Sequence, residues 1–147
     1  MGEKQGGEST SADTLLDSTL DSVDAAEAIV LDAAGRFGLD EENLHKLGMA
    51  VRESMVNAVV HGNRYSAHKK VHLKVLNNSE RLTVRITDQG AGFDIRSLPD
   101  PLAPENLLKQ SGRGILLIQA FVDEFDVRRA EPAGTEVTLV KYRSQRG

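Results

Sequence analysis

The sequence predicts an α+β two-layer sandwich, with a mixed, mainly antiparallel sheet covered on one face by helices. Two helical patterns come first and alternating strand patterns follow, with one further helix between the strands. At 147 residues the chain fits a single domain. Such a chain buries roughly 68–70% of its unfolded surface, enough for a core without staples.

Residues 1–13 are rich in Gly, Ser, Glu and Lys and read as a disordered tail. Thr14 to Leu20 can hold a short edge strand. From about Ser22, the residues Val23, Ala26, Ile29, Val30, Ala33 and Phe37 recur at helical spacing, and Gly38 is the stop. Asp40 can cap a second helix, with Glu41 and Glu42 favourable in its first turn. That helix is expected to run to His61 and to close at Gly62.

Val71, Leu73 and Val75 alternate with polar residues, as do Leu82, Val84 and Ile86, and Asn77-Asn78-Ser79-Glu80 lies between them. These are two antiparallel strands joined by a turn. Residues 89–112 carry Gly90, Gly92, Pro99, Pro101, Pro104 and Gly112 with little periodicity, as a long functional loop would. Ile115 to Val122 is apolar on nearly every side and reads as a buried helix. Phe125–Val127 and Val137–Val140 are strands around a turn at Pro132-Ala133-Gly134. The domain is expected over residues 14–142, with 143–147 as a tail.

Composition excludes several classes. No cysteine is present, so disulfides and Cys-zinc sites are absent. The net charge of −4 gives no basic field for nucleic acid, and two Tyr and four Phe make no stacking platform. No apolar run approaches the ~20 residues of a membrane span, and the N-terminus lacks a signal-peptide core. A cytoplasmic, soluble protein is expected. His45, His61, His68 and His72 show no zinc spacing.

The most informative stretch is Glu53 to Asn63. Glu53, Asn57 and His61 are four apart and form one polar stripe on an apolar helix. Such a row costs free energy unless it is satisfied, either by a structural hydrogen-bond network or by a ligand carrying a cation and phosphates. An amide oxygen suits a hard cation, and a carboxylate one turn away suits proton transfer. The strand Thr83–Thr87 runs into Asp88-Gln89-Gly90-Ala91-Gly92, where glycines let a backbone approach a ligand and a carboxylate can accept an exocyclic amine. Ser111-Gly112-Arg113-Gly114 precedes the buried helix, and helix N-terminal N–H groups with an arginine favour an anion. Each of the two also reads as an ordinary turn. A dinucleotide fingerprint lacks its third glycine, and a P-loop is excluded.

In order, Glu53-x-x-x-Asn57, Asp88-x-Gly90-x-Gly92, Gly112-x-Gly114 and Gly134-Thr135 closely resemble the N box and three glycine boxes of the GHKL ATPase superfamily. Within it the chain looks most like the bacterial anti-sigma factor serine/threonine kinases over roughly residues 14–142. Its His61-Gly62-Asn63, Ser111-Gly112-Arg113-Gly114-Ile115 and Val122-Asp123-Glu124 are typical of that group.

The resemblance implies a Bergerat ATP-binding fold. Asn57 would hold Mg²⁺, Asp88 would receive the adenine amine, and Thr135 would support Asp88. Gly90 and Gly92 would give the nucleotide room, while Gly112, Arg113 and Gly114 would meet phosphate and residues 96–112 would form a lid. His61 is carried with the ATP-binding residues, with helix capping as its alternative. Glu53 would orient or deprotonate a serine or threonine hydroxyl on an anti-anti-sigma protein. The expected partners are that antagonist, a sigma factor and a second copy of the chain, in a homodimer built on the first strand and helix. The alternative is an ATP-governed switch that sequesters a partner with little kinase activity.

Overall fold

A computed structural model describes residues 7–90 and 110–143, and the side chains of all of these but 110–115. Gly92 and most of the 96–112 segment expected to form a lid lie outside the described residues. The elements run β1 (Ser9–Asp17), α1 (Asp21–Phe37), α2 (Glu41–Val56), a π-helix (Asn57–Gly62), β2 (Lys70–Asn77), β3 (Arg81–Thr87), α3 (Gln110–Phe121), β4 (Glu124–Arg129) and β5 (Thr135–Tyr142). The strands form one sheet in the order β1-β2-β3-β5-β4.

Every described pairing in that sheet is antiparallel, so the expected mixed character is a correction. After α3 the chain does run again in the direction of β3, since β3 and β4 are both antiparallel to β5. The hairpin strand β5 then inserts between β3 and β4, and the two co-directional strands never pair.

Local chemistry sets the boundaries. α1 ends in a Schellman motif: Gly38 takes φ 109°, its N–H donates to Gly35 O and that of Leu39 to Ala34 O. The Asp40 side chain accepts the Asn43 N–H at 2.9 Å and starts α2, as expected. In the β2–β3 turn, Asn78 Oδ1 accepts the N–H groups of Glu80 and Arg81.

Both termini depart from expectation. β1 begins at Ser9 and ends at Asp17, inside the stretch read as a tail and short of Leu20. Its polar first half gains order from pairing with β2, from Ser9 opposite Asn77 to Asp17 opposite Lys70. The carbonyls of Thr19 and Leu20 accept the first N–H groups of α1. At the other end Arg143 is tied down rather than free. Its guanidinium donates to Phe37 O at 2.6 Å and to Ser79 O at 2.9 Å and lies 4.1 Å from the Phe37 ring centre.

One sheet face carries the core. Val71, Leu73, Val75, Leu82, Val84, Ile86, Val137 and Leu139 are buried against Val30, Leu47, Val51, Met55 and Ile118 of the helices. The opposite face presents Arg81, Arg85, Glu124, Asp126, Arg128 and Glu136 around a polar depression. α3 is less enclosed than expected, since Ile118 is buried but Leu116 is exposed. Among the described residues no helix is long and apolar enough to cross a membrane.

Removing buried methylenes costs their transfer energy and leaves a cavity. Leu73→Ala, at a fully buried position of β2, is expected to lose about 2–5 kcal/mol in urea unfolding. Leu15→Ala, on the open side of β1, should stay within about 0.5 kcal/mol. Equal losses at the two positions would contradict the assignment of faces.

Candidate functional site

The α-helical hydrogen bonding of α2 gives way at Asn57 to a π-helix that ends at Gly62. There the Asn63 N–H donates to Ala58 O at 2.8 Å, five residues back, and the Tyr65 N–H reaches Val59 O at 2.9 Å. Such wide turns are rare and frequently occur at functional sites. The wider turn also rotates later side chains off an i, i+4 row. The expected stripe therefore breaks: Glu53 is half-buried, Asn57 is buried and His61 is exposed. Arg64 and Tyr65 follow with φ of 52° and 60°, left-handed values that non-glycine residues take only when their surroundings impose them.

Asn57 is 4% exposed, and its Nδ2 has no hydrogen-bond partner, nor has the buried Ser54 Oγ one turn earlier. A buried amide left unsatisfied costs roughly 1–3 kcal/mol, which marks this position as a candidate for ligand contact. The amide offers an oxygen to a cation and N–H groups to phosphate or water. Among the described residues no cluster of three His, Cys, Asp or Glu forms a metal cage. A metal here would rest on Asn57 and on a ligand's own oxygens, as Mg²⁺ with nucleotide phosphates commonly does. Glu53 is not held by the neighbouring arginine, because Arg52 bonds Asp24 and Glu27 of α1 at 2.8 and 2.7 Å.

Asp88 follows β3 and is 2% exposed. Its Oδ1 accepts the N–H groups of Gly90 at 3.0 Å and Thr135 at 3.2 Å, and its own N–H donates to Thr135 O. Thr135 thus does support Asp88, directly through its backbone. Three glycines pack closely around Asp88. A Cβ on Gly62 would meet Asp88 Oδ2 at 2.3 Å, one on Gly90 would meet Gly62 O at 1.9 Å, and one on Gly134 would meet Asp88 O at 1.9 Å. No side chain fits at any of these positions. Apart from the family resemblance, Gly62 reads from sequence as a helix stop and Gly134 as a turn; the contact of both with Asp88 is what the fold adds.

Burial pushes the Asp88 carboxyl above its ordinary range, against the two N–H bonds and the charge of Lys69, which lower it. A folded-state pKa raised above the unfolded value means that the folded protein holds this proton more tightly. Stability contributed here is present at low pH and is lost as pH rises through the folded value. Above that folded value the ionised carboxylate is therefore a destabilising group with an acceptor to offer.

The second glycine box sits differently from expectation. α3 begins at Gln110, so Gly112, Arg113 and Gly114 lie in its first turns instead of preceding it. The early N–H groups of a helix have no intrahelical acceptor, so an anion would meet the chain from about residue 110 onward.

Residues 16–141 match the family described as the histidine kinase-like ATPase domain. The anti-sigma F factor of Oceanobacillus iheyensis is 31% identical over 108 residues, covering 71% of this chain and 73% of the relative. The anti-sigma F factor of Bacillus thuringiensis is 33% identical over 107 residues, covering 70% and 72%. The fold is similar to the crystal structure of the RsbU and RsbW domains of Rv1364c from Mycobacterium tuberculosis, with a TM-score of 0.61 and 19% identity. That similarity covers 92% of this chain and 33% of the other. The chain belongs to the histidine kinase-like ATPase domain family and is homologous to the anti-sigma F factors within it.

Proposed function

We propose that the protein is an ATP-dependent serine/threonine protein kinase and anti-sigma factor of a partner-switching pathway. The observation that carries this reading is the buried Asp88 carboxylate in its glycine cradle, beside an element that opens on the unsatisfied amide of Asn57. Family membership supports ATP as the ligand. Homology to anti-sigma F factors supports a sigma factor as one partner, and an antagonist protein is proposed as the phosphoacceptor.

Among the described residues the hydrogen bonds to the Asp88 carboxylate fall on Oδ1, which leaves its other oxygen to accept the adenine amine in this reading. Asn57 and the phosphates would hold Mg²⁺, which supplies charge neutralisation when bound. Glu53, one helical turn before Asn57, would accept the proton of the incoming serine or threonine hydroxyl. The new bond forms between that oxygen and the γ-phosphorus, the bond to the ADP oxygen breaks, and the hydroxyl proton passes to the Glu53 carboxylate.

ATP with Mg²⁺ is expected to raise the melting temperature, and Asn57→Ala to remove the Mg²⁺-dependent part of that rise. Equal nucleotide affinity in both proteins by calorimetry would remove the metal from Asn57. Asp88→Asn keeps an oxygen for the Gly90 and Thr135 N–H groups but removes the buried charge. It should raise the melting temperature of the nucleotide-free protein at neutral pH while abolishing the preference for ATP over GTP. A lower melting temperature with the preference intact would contradict both roles of the carboxylate.

Glu53→Gln keeps size and removes basicity. Phosphorylation of the antagonist should slow by ~100- to 10,000-fold with nucleotide binding near normal. An unchanged rate with labelled ATP would reject the base role and favour the nucleotide-governed switch.

A further inference from the structure

Asn63 is 1% exposed and uses both ends of its amide. Its Nδ2 donates to Ser18 Oγ at 2.9 Å and to Lys70 O at 3.0 Å. Its Oδ1 accepts the Gln89 N–H at 2.7 Å. Ser18 Oγ in turn donates to Lys69 O at 2.6 Å, and the Lys70 N–H donates to Gln89 Oε1 at 2.6 Å. Asn63, Lys70 and Gln89 thereby close a ring of hydrogen bonds. Two corners belong to fixed structure, the last turn after the π-helix and the first residue of β2. The third is the residue directly after Asp88.

The chemistry of the ring explains why an amide stands here. A donor must face the Lys70 carbonyl and an acceptor must face the Gln89 N–H, and the asparagine amide offers both on separate atoms of one short side chain. An aspartate would keep the acceptor and lose the donors; an alanine would lose both. The ring adjoins the left-handed Arg64 and Tyr65 on one side and Gly62, whose carbonyl packs against Gly90, on the other. Buried polar groups satisfied this completely fix a geometry rather than merely fill space.

We propose that Asn63 is a positioning residue that holds the Asp88 loop in place for adenine recognition by accepting the Gln89 N–H. It acts through Asp88, and it rests on the reading of Asp88 as the adenine acceptor. Ser18 supplies the contrast, because it braces the same corner without touching Gln89.

The test measures affinity for ATP and for GTP, together with melting temperature, in Asn63→Ala, Ser18→Ala, Asn63→Asp and Asp88→Asn. Asn63→Ala should weaken ATP binding by about tenfold and lower the preference for ATP over GTP. Ser18→Ala should lower the melting temperature and leave the preference unchanged. Asn63→Asp should retain the preference despite reduced stability, and it carries the comparison where Asn63→Ala does not fold. A preference kept in Asn63→Ala but lost in Asp88→Asn overturns the proposal and makes Asn63 a structural brace alone, as does a preference lost in Asn63→Asp.

Should Asp88→Asn leave the preference intact, the adenine reading itself fails and amide exchange decides the remainder. The Gly90 N–H, bonded to Asp88 Oδ1, should then exchange faster in Asn63→Ala than in Ser18→Ala. Equal rates overturn the positioning role.

Discussion

The burial of the Asp88 carboxylate is the constraint on which the rest of the site depends. An ionised side chain at 2% exposure is costly unless its lone pairs are occupied. Two backbone N–H groups from two different segments meet one oxygen, which is why β5 must start beside the end of β3. Space for this arrangement exists only because Gly62, Gly90 and Gly134 lack side chains. A cost of this kind is borne where a ligand, rather than the fold, uses the charge.

The two-layer architecture serves that arrangement. α2 is fixed by its core face, Leu47, Val51 and Met55, and by the Arg52 bridges to α1. This leaves its C-terminal continuation to be reshaped by what it meets. The change from α to π hydrogen bonding after Val56 brings Gly62 onto Asp88 and buries Asn57 with an unpaired amide nitrogen. The metal and base roles proposed for Asn57 and Glu53 would therefore sit on one helical run and the proposed adenine acceptor at a strand end. Phosphoryl transfer needs little beyond such positioning and charge neutralisation.

Much of this was legible in the sequence where the signal is local. The Gly38 stop, the Asp40 cap and the hairpin through Asn78 depend on residues a few positions apart, and they stand as read. The Glu53, Asn57, Asp88 and Thr135 motif positions were legible through their order along the chain. Contacts over long separations were not. The first half of β1, Ser9 to Asp13, carries no apolar alternation and is a strand only because β2 pairs with it. The π-helix cannot be told from an α-helix by periodicity, since its extra residue depends on tertiary contacts. Two of the partners of Asn63, Ser18 and Gln89, lie 45 and 26 residues away in sequence. The antiparallel character of the sheet likewise follows from the insertion of β5, which no local pattern encodes.

The central claim is that the buried Asp88 carboxylate receives the base of ATP, and carbon NMR of that carboxyl tests it most directly. In the free protein its titration should lie above the ordinary carboxylate range, because burial disfavours the charge. A hydrogen bond donated by the adenine amine favours the charged form, so saturating ATP should shift the resonance and lower the midpoint, whereas GTP should do neither. A resonance and midpoint that ATP leaves unchanged would contradict the account.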